Sequence, residues 1–405
     1  MSNTEAPKTD HSRAVAESEG ITTNVAPEAS RAARPRSFSV ADHQIPTGRE
    51  EEWRFSSLKD IIPLLKDETE YVADSPLLGV TVETTASADE LINATLAAGE
   101  APRGSALVPE DRVSARVHET DAAATYLSAK RNQELADPVT VNIHGAAGEQ
   151  VSARHLVLET QESASATFVL NHTGSGLVAQ NLEMIAGDNS SLTVISIQDW
   201  DDDAVQLSSH AARVGRDARF KHVVVSFGGK AVRISSVSAF AEPGGEIEQL
   251  GLYFSDEGQH LEHRLFVDHA APNCTSNVTY KGALQGKSAR SVWVGDVLIR
   301  KQAEGTNTYE LNRNLVLTQG ARADSVPNLE IETGEIEGAG HASATGRFDD
   351  EQLFYLRARG IPEVEARRLV VRGFFAEIIQ QIDVPEVRER LLAAVEAELS
   401  TTMHA

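Results

Sequence analysis

From about residue 138 to residue 336 the chain alternates short apolar runs with Gly, Asp and Asn clusters, and helical periodicity is almost absent. The short stretches 139–143, 155–159, 165–170, 176–185, 191–199, 219–226 and 231–241 between these turns read as strands. The same holds for 246–254, 262–267, 274–284, 289–298, 314–317 and 329–332. Turn clusters recur at Ala186-Gly187-Asp188, Gly215-Arg216-Asp217, Pro243-Gly244-Gly245 and Pro272-Asn273. Measured from Gly187 through Gly215, Gly244 and Asn273, the offsets are 28, 29 and 29 residues. A fixed period of this length, in units that cannot bury their own faces, marks a stacked solenoid, and a β-helix suits short strands of similar length. A β-sandwich, with a strand every 8–12 residues or so, stays open on spacing alone.

The flanks follow other patterns. Glu51-Glu52-Trp53-Arg54 leads into Leu58, Ile61, Ile62, Leu64 and Leu65, the spacing of a short amphipathic helix broken near Pro63. Residues 87–99 and 120–136 also read as helical, the first with Ser87 as N-cap and Glu90 completing a capping box. Beyond residue 348 the pattern predicts a helix over 349–359 closed by Gly360. Pro362 opens a second helix to about residue 380, and Pro385 opens a third. Leu369, Val370, Phe374, Ile378 and Ile379 form an apolar stripe that predicts packing within a three-helix end domain. The expected organisation is a disordered tail (1–44), an N-terminal helical region (45–137), a β-helix core (138–346) and a C-terminal helical domain (347–405).

Composition narrows the function classes. Sixty acidic and 37 basic side chains among 405 residues give a net charge of -23, which repels phosphate and disfavours nucleic-acid or anionic-membrane binding. One cysteine, Cys274, excludes an internal disulfide framework and fits a reducing, cytoplasmic setting. It also excludes a self-contained ferredoxin, which needs about four thiolates. The first 40 residues lack an apolar signal-peptide core and carry too little apolar surface to offset ordering entropy. No apolar run reaches the roughly 18 residues of a membrane span.

The chain has no G-x-x-x-x-G-K-[ST], G-x-S-x-G or H-E-x-x-H motif. Among His260, His263 and His269, strand parity puts the last two on one face and the first on the other, against a three-histidine metal site. Asp201, Asp202 and Asp203 read as a solvated turn, and Cys274 has no basic neighbour to activate it. His341 stands apart. Gly334, Gly338 and Gly340 precede it, Ala342 to Gly346 are all small, and a helix start follows at Asp349 or Asp350.

Several of these segments resemble the SufB/SufD family of iron–sulfur cluster assembly scaffolds. Pro327-Asn328-Leu329-Glu330-Ile331, then His341, then Asp349 through Leu353-Phe354-Tyr355-Leu356 to Arg359-Gly360-Ile361 resemble the end of its core in SufD members. Tyr280-Lys281-Gly282-Ala283-Leu284 is similar to Y-K-G-V-L, and Leu311-Asn312-Arg313-Asn314-Leu315-Val316-Leu317 to Q-x-N-x-N-L-L-L. Glu52-Trp53-Arg54-Phe55 resembles the E-x-W-R-Y entry of SufD. The match spans roughly residues 45–382. It implies a mainly β protein: a right-handed parallel β-helix between an N-terminal helical or mixed region and a C-terminal three-helix domain.

The resemblance further implies a non-catalytic scaffold subunit of the SUF complex. Its partners would be a SufB-like paralogue and a SufC-like ABC ATPase, with a homodimer possible when isolated. A nascent iron–sulfur cluster would be shared with the partner, and no cofactor held tightly by this chain alone. His341 is then the candidate cluster ligand, and His269, Phe354, Tyr355, Arg357, Arg359, Arg367 and Phe375 are candidate interface residues. The chain departs from the family where a cysteine often stands two residues before the histidine; Ala339 is there, and Ala342 replaces the following glycine. Two other readings are a cytoplasmic solenoid interaction module without cluster contact and a β-helix carbohydrate-active enzyme.

Overall fold

The computed structural model describes residues 34–402 apart from Asp74, Phe348 and Asp349; the side chains of residues 350–352, 401 and 402 are also not described. Four short strands come first: β1 (Tyr71–Ala73), β2 (Leu78–Glu83), β3 (Leu91–Ala97) and β4 (Ala123–Ala129). They lead into β5 (Val139–Gly145), β6 (Val151–Thr160), β7 (Ser165–Gly174), β8 (Leu177–Ala186) and β9 (Ser191–Trp200). The series continues with β10 (Val205–Val214), β11 (Arg219–Ser226), β12 (Ala231–Phe240), β13 (Glu246–Ser255) and β14 (His260–His269). It closes with β15 (Thr275–Leu284), β16 (Arg290–Ile299), β17 (Asn307–Val316), β18 (Arg322–Ile331) and β19 (Gly338–Arg347).

From β5 onward, even strands form one sheet and odd strands the other, each pairing in parallel with the strand two ahead. Each coil is therefore two strands and two turns, and successive coils repeat every 26 to 32 residues. This is a parallel β-solenoid.

The repeat seen in the sequence is a stack of turns. Ser163, Asn189, Asp217, Gly244, Asn273 and Gly305 all take positive φ, between 52° and 80°. The N–H of each donates to a carbonyl of the following coil, as Asn189 does to Arg216 at 2.7 Å and Asn273 to Glu304 at 2.7 Å. Asn, Asp and Gly tolerate that conformation, which is why they recur there.

The register stacks residues of successive coils into columns. His222, Gln249, Val278, Glu310 and His341 form one inward column of the odd sheet, and Ser226, Tyr253, Gly282, Asn314 and Thr345 another. The interior is thus mixed, with apolar layers (Leu182, Val194, Phe220, Val267) beside polar ones. Tyr253 and Tyr280 explain two glycines. A Cβ on Gly282 would lie 1.9 Å from the Tyr253 ring, and one on Gly251 would lie 2.0 Å from Tyr280.

Both outer faces are covered. Over the even sheet lie Trp53, α1 (Leu58–Leu65) and α2 (Arg112–Thr120), with Ile61, Leu64, Val113 and Val117 packed on Ala179, Val205 and Leu207. Arg233 pins this entry: its guanidinium lies 4.0 Å from the Trp53 ring, donates to the Glu52 carbonyl and Ser56 hydroxyl, and pairs with buried Glu262. Over the odd sheet lie α3 (Asp350–Ala358), α4 (Glu363–Ile379) and α5 (Pro385–Thr402). Phe375, Ile378, Ile379, Leu391 and Leu399 pack there on Ile195, Val223, Leu250 and Phe254. Lys281 donates to the Phe374 carbonyl at 3.0 Å and pairs with Glu377, fixing α4 to β15. No described helix is long and apolar enough to cross a membrane.

Several expectations change. Residues 87–99 and 120–136 are not helices: β3 and β4 occupy them as an antiparallel pair, and the helix between is α2. The capping-box bonds do form, Ser87 N–H to Glu90 at 2.8 Å, but they close a turn that feeds β3. The local signal held, and sheet pairing decided what followed. The tail expected to be disordered through residue 44 is packed over its final part, where Ser37 N–H donates to the Pro109 carbonyl at 3.0 Å and His43 is buried. Residues 1–33 lie outside the described residues. The stripe on α4 packs on the solenoid itself as well as on its neighbouring helices, with Leu369 left 40% exposed.

Candidate functional site at the open end of the solenoid

The sheets end at β18 and β19, whose outer edges pair with no described strand. Such edges carry a row of N–H and C=O groups available to another strand. His341 sits in mid-β19, in register with Glu310 of β17 and on the lumen-facing parity shared by Ala339, Ser343 and Thr345. Because no coil follows, a side chain that would be interior elsewhere is exposed here. Of the glycines that precede His341, Gly338 and Gly340 lie in β19 itself and Gly334 in the turn before it. Gly340 has its own reason, since a Cβ there would come within 3.2 Å of the Tyr309 ring. The helix start at Asp349 lies outside the described residues; α3 is described from Asp350.

Beneath His341 lies an unusual carboxylate. Glu310 is 1% exposed, and neither oxygen has a hydrogen-bond partner. Burial, with Asp296 nearby, pushes its pKa up to about 8. Beside it, Asn312 and Asn314 of the sequence motif point inward and hydrogen-bond to the Tyr253 hydroxyl at 2.9 and 2.5 Å. Ser325 of β18 donates to Asn312, and Ser343 of β19 donates to Ser325 at 2.7 Å. Glu310, Tyr253 and this network were not singled out by the sequence, although Asn312 and Asn314 at i, i+2 mark one face of a strand.

The other site residues separate. Phe354 and Tyr355 of α3 are 75% and 57% exposed, with Arg359 stacked 4.9 Å from the Tyr355 ring. Arg357 and Arg367 pair with Glu363 on the same surface. Phe375, by contrast, is fully buried against Phe254 and Phe374, so it belongs to the packing of α4 on the solenoid and is not a surface residue. His269 is also fully buried, its nitrogens facing Ser276 (2.8 Å) and Thr306 (3.5 Å), which gives it a structural place inside the lumen.

His263 shares that lumen while His260 faces the opposite side beside Glu262, as strand parity predicts. Among the described residues no cluster of three or more His, Cys, Asp and Glu could hold a metal ion. Cys274 is buried against the carbonyls of Glu242 and Pro272, and burial pushes its thiol pKa up, the reverse of activation. Asp201, Asp202 and Asp203 form an exposed turn, with Asp203 accepting from Ser175 and Asp202 from Gln259.

Fold and site together define a β-solenoid subunit that offers one imidazole at an unpaired strand edge. The sequence model for the SufBD core domain of SUF-system FeS cluster assembly matches residues 142–374, almost the whole solenoid. A SufBD family iron–sulfur cluster assembly protein of Mycobacterium tuberculosis is 52% identical over 372 residues, covering 90% of this chain and 92% of that protein. The counterpart in Mycobacterium leprae is 50% identical, with 90% and 93% covered. The SufD protein of Escherichia coli is 24% identical over 381 residues, with 87% and 88% covered. The chain belongs to the SufBD family of iron–sulfur cluster assembly proteins.

Proposed function

We infer that this chain is a SufD-type scaffold subunit of a SUF assembly complex and performs no catalysis by itself. The observation that carries this reading is His341, exposed on the lumen side of the last strand, between two unpaired sheet edges. A SufB-like paralogue pairs along β18 and β19 and extends the two sheets, and in its absence a second copy of this chain takes the place. Exposed Tyr309 and Ile331 add apolar area beside those edges. A SufC-like ABC ATPase docks on the surface of α3 and α4, where Phe354, Tyr355, Arg357, Arg359 and Arg367 cluster.

The nascent cluster is cargo held between two subunits. Imidazole nitrogen suits iron, and with Ala339 in the place of a cysteine, His341 is this chain's donor while thiolates come from the partner. No cofactor is held tightly by this chain alone. The cytoplasmic address indicated by the single cysteine belongs to the same reading. An interaction solenoid without cluster contact would bury its histidine as His269 is buried; His341 is exposed instead.

Tagging the chain in its own host and purifying it without oxygen tests this. Recovery of a paralogous solenoid and an ABC-type ATPase is expected. Recovery alone, or with unrelated proteins, overturns it.

A further inference from the structure

The lumen of the later coils contains polar atoms that the protein leaves unsatisfied. His210 Nε2, His222 Nδ1, His263 Nδ1, Trp293 Nε1 and both oxygens of Glu310 have no partner. All five residues are at most 2% exposed. Burying a polar group without a partner is costly, and folded proteins leave few of them. Several sharing one interior identify a hydrated site, because water satisfies donors and acceptors alike. Trp293 and Glu310 also converge. A Cβ on Gly295 would lie 2.4 Å from the indole and 2.9 Å from Glu310 Oε1, so both reach the same point between the sheets.

A hydrogen-bonded path runs from the Tyr253 hydroxyl, beside this interior, to the outside. The His263 ring stacks on Tyr253 with centroids 5.0 Å apart. The Tyr253 hydroxyl accepts from Asn312, Ser325 donates to Asn312, and Ser343 donates to Ser325 on the exposed edge strand.

We propose that the lumen around His263, Trp293 and Glu310 binds a cluster of internal waters, joined through Tyr253, Asn312, Ser325 and Ser343 to the open end of the solenoid. The ligand is water, and through it the proton. Its use rests on the assembly reading above: metal binding displaces protons from its ligands, and an end covered by a partner has lost bulk water. The lumen then supplies hydrogen-bonded solvent behind the site. The hydration itself does not depend on that reading and is read on the chain alone.

Three tryptophans make the measurement direct. In the full-length protein labelled with 15N at tryptophan, the Trp293 indole N–H, assigned with Trp293→Phe, is followed for exchange and for cross-relaxation with water. Trp200 is the internal reference, since its N–H donates to Gln206 at 2.7 Å and is likewise buried. Trp293 is expected to show a water cross-peak and to exchange at least about tenfold faster than Trp200. Ser343→Val, at an exposed position that leaves the fold intact, is expected to slow Trp293 exchange. Equal protection of Trp293 and Trp200 would show a dry lumen and end the proposal. Fast exchange unaffected by Ser343→Val would remove the path to the open end.

Discussion

Lowering the pH should destabilise this protein before most of its carboxylates protonate, because the lumen holds neutral histidines. Burial pushes the pKa of His172 down to about 4 and those of His222, His263 and His269 to about 3. His210 is held well below its ordinary value by burial, with His222 beside it. In the unfolded chain each titrates near 6.5. A depressed folded pKa means the unfolded state binds more protons below 6.5, so stability is fully present above that value. It is lost as pH falls through the interval down to about 4, and only below about 3 does the loss level off.

For one histidine the loss between pH 7 and pH 5 is about 2 kcal/mol. Five give roughly 9 kcal/mol, comparable with the total stability of about 5–15 kcal/mol for an ordinary domain. Glu310 and Glu398, pushed up by burial to about 8 and about 7, offset part of this because a raised carboxyl gains stability as the pH falls. Urea unfolding monitored by circular dichroism between about pH 7 and pH 5 yields the proton uptake from the slope of stability against pH. The five histidines take up about four to five protons near pH 5 and the raised carboxylates of Glu310 and Glu398 each release most of one, so a net uptake of about three to four is expected, and His263→Phe should remove about one. An uptake below about two protons would refute the neutral-histidine interior.

Gly282→Ala should destabilise by about 3 kcal/mol or more, read as a lower urea midpoint, because its Cβ would meet the enclosed Tyr253 ring at 1.9 Å. Phe375→Ala, which empties the contact between α4 and β13, should cost about 3–5 kcal/mol, whereas Tyr355→Ala on the exposed surface should fall within about 0.5 kcal/mol of the parent. Lys281→Met should speed limited proteolysis between α4 and α5 while the solenoid persists, since it removes the bond to the Phe374 carbonyl and the Glu377 pair.

What the sequence disclosed depended on where its signal was local. Turn residues with positive φ favour Gly, Asn and Asp, so the turn clusters holding Asn189, Asp217, Gly244 and Asn273 showed as a period, marked in the sequence by Gly187, Gly215, Gly244 and Asn273. Strands whose inward side is polar were harder. β10 carries Gln206, Ser208 and His210 on its lumen side, which erases apolar alternation, and it was not expected as a strand. β19 is built from Gly, Ala, Ser and Thr and is a strand because β17 offers it a ladder, which no local propensity reveals. β3 and β4 likewise depend on each other.

The site divides in the same way. His341 was visible as a lone histidine among small residues, and the structure exposes it. Glu310 lies 31 residues earlier and becomes its neighbour only through coil stacking. The motif Tyr280-Lys281-Gly282 acquires separate reasons: Tyr280 fills the lumen, Lys281 holds α4, and Gly282 admits Tyr253. Phe375 illustrates the limit, since an apolar residue on an amphipathic helix can face a partner or its own solenoid, and contacts alone decide.

The proposed role of the open end is to handle a nascent cluster through His341. Its most direct test is iron and sulfide content of the assembled complex, purified without oxygen from cells carrying His341→Ala in place of the parent chain. Unchanged recovery of the partner subunits is expected, with most of the iron and acid-labile sulfide lost. Parental iron and sulfide in an intact complex would contradict it.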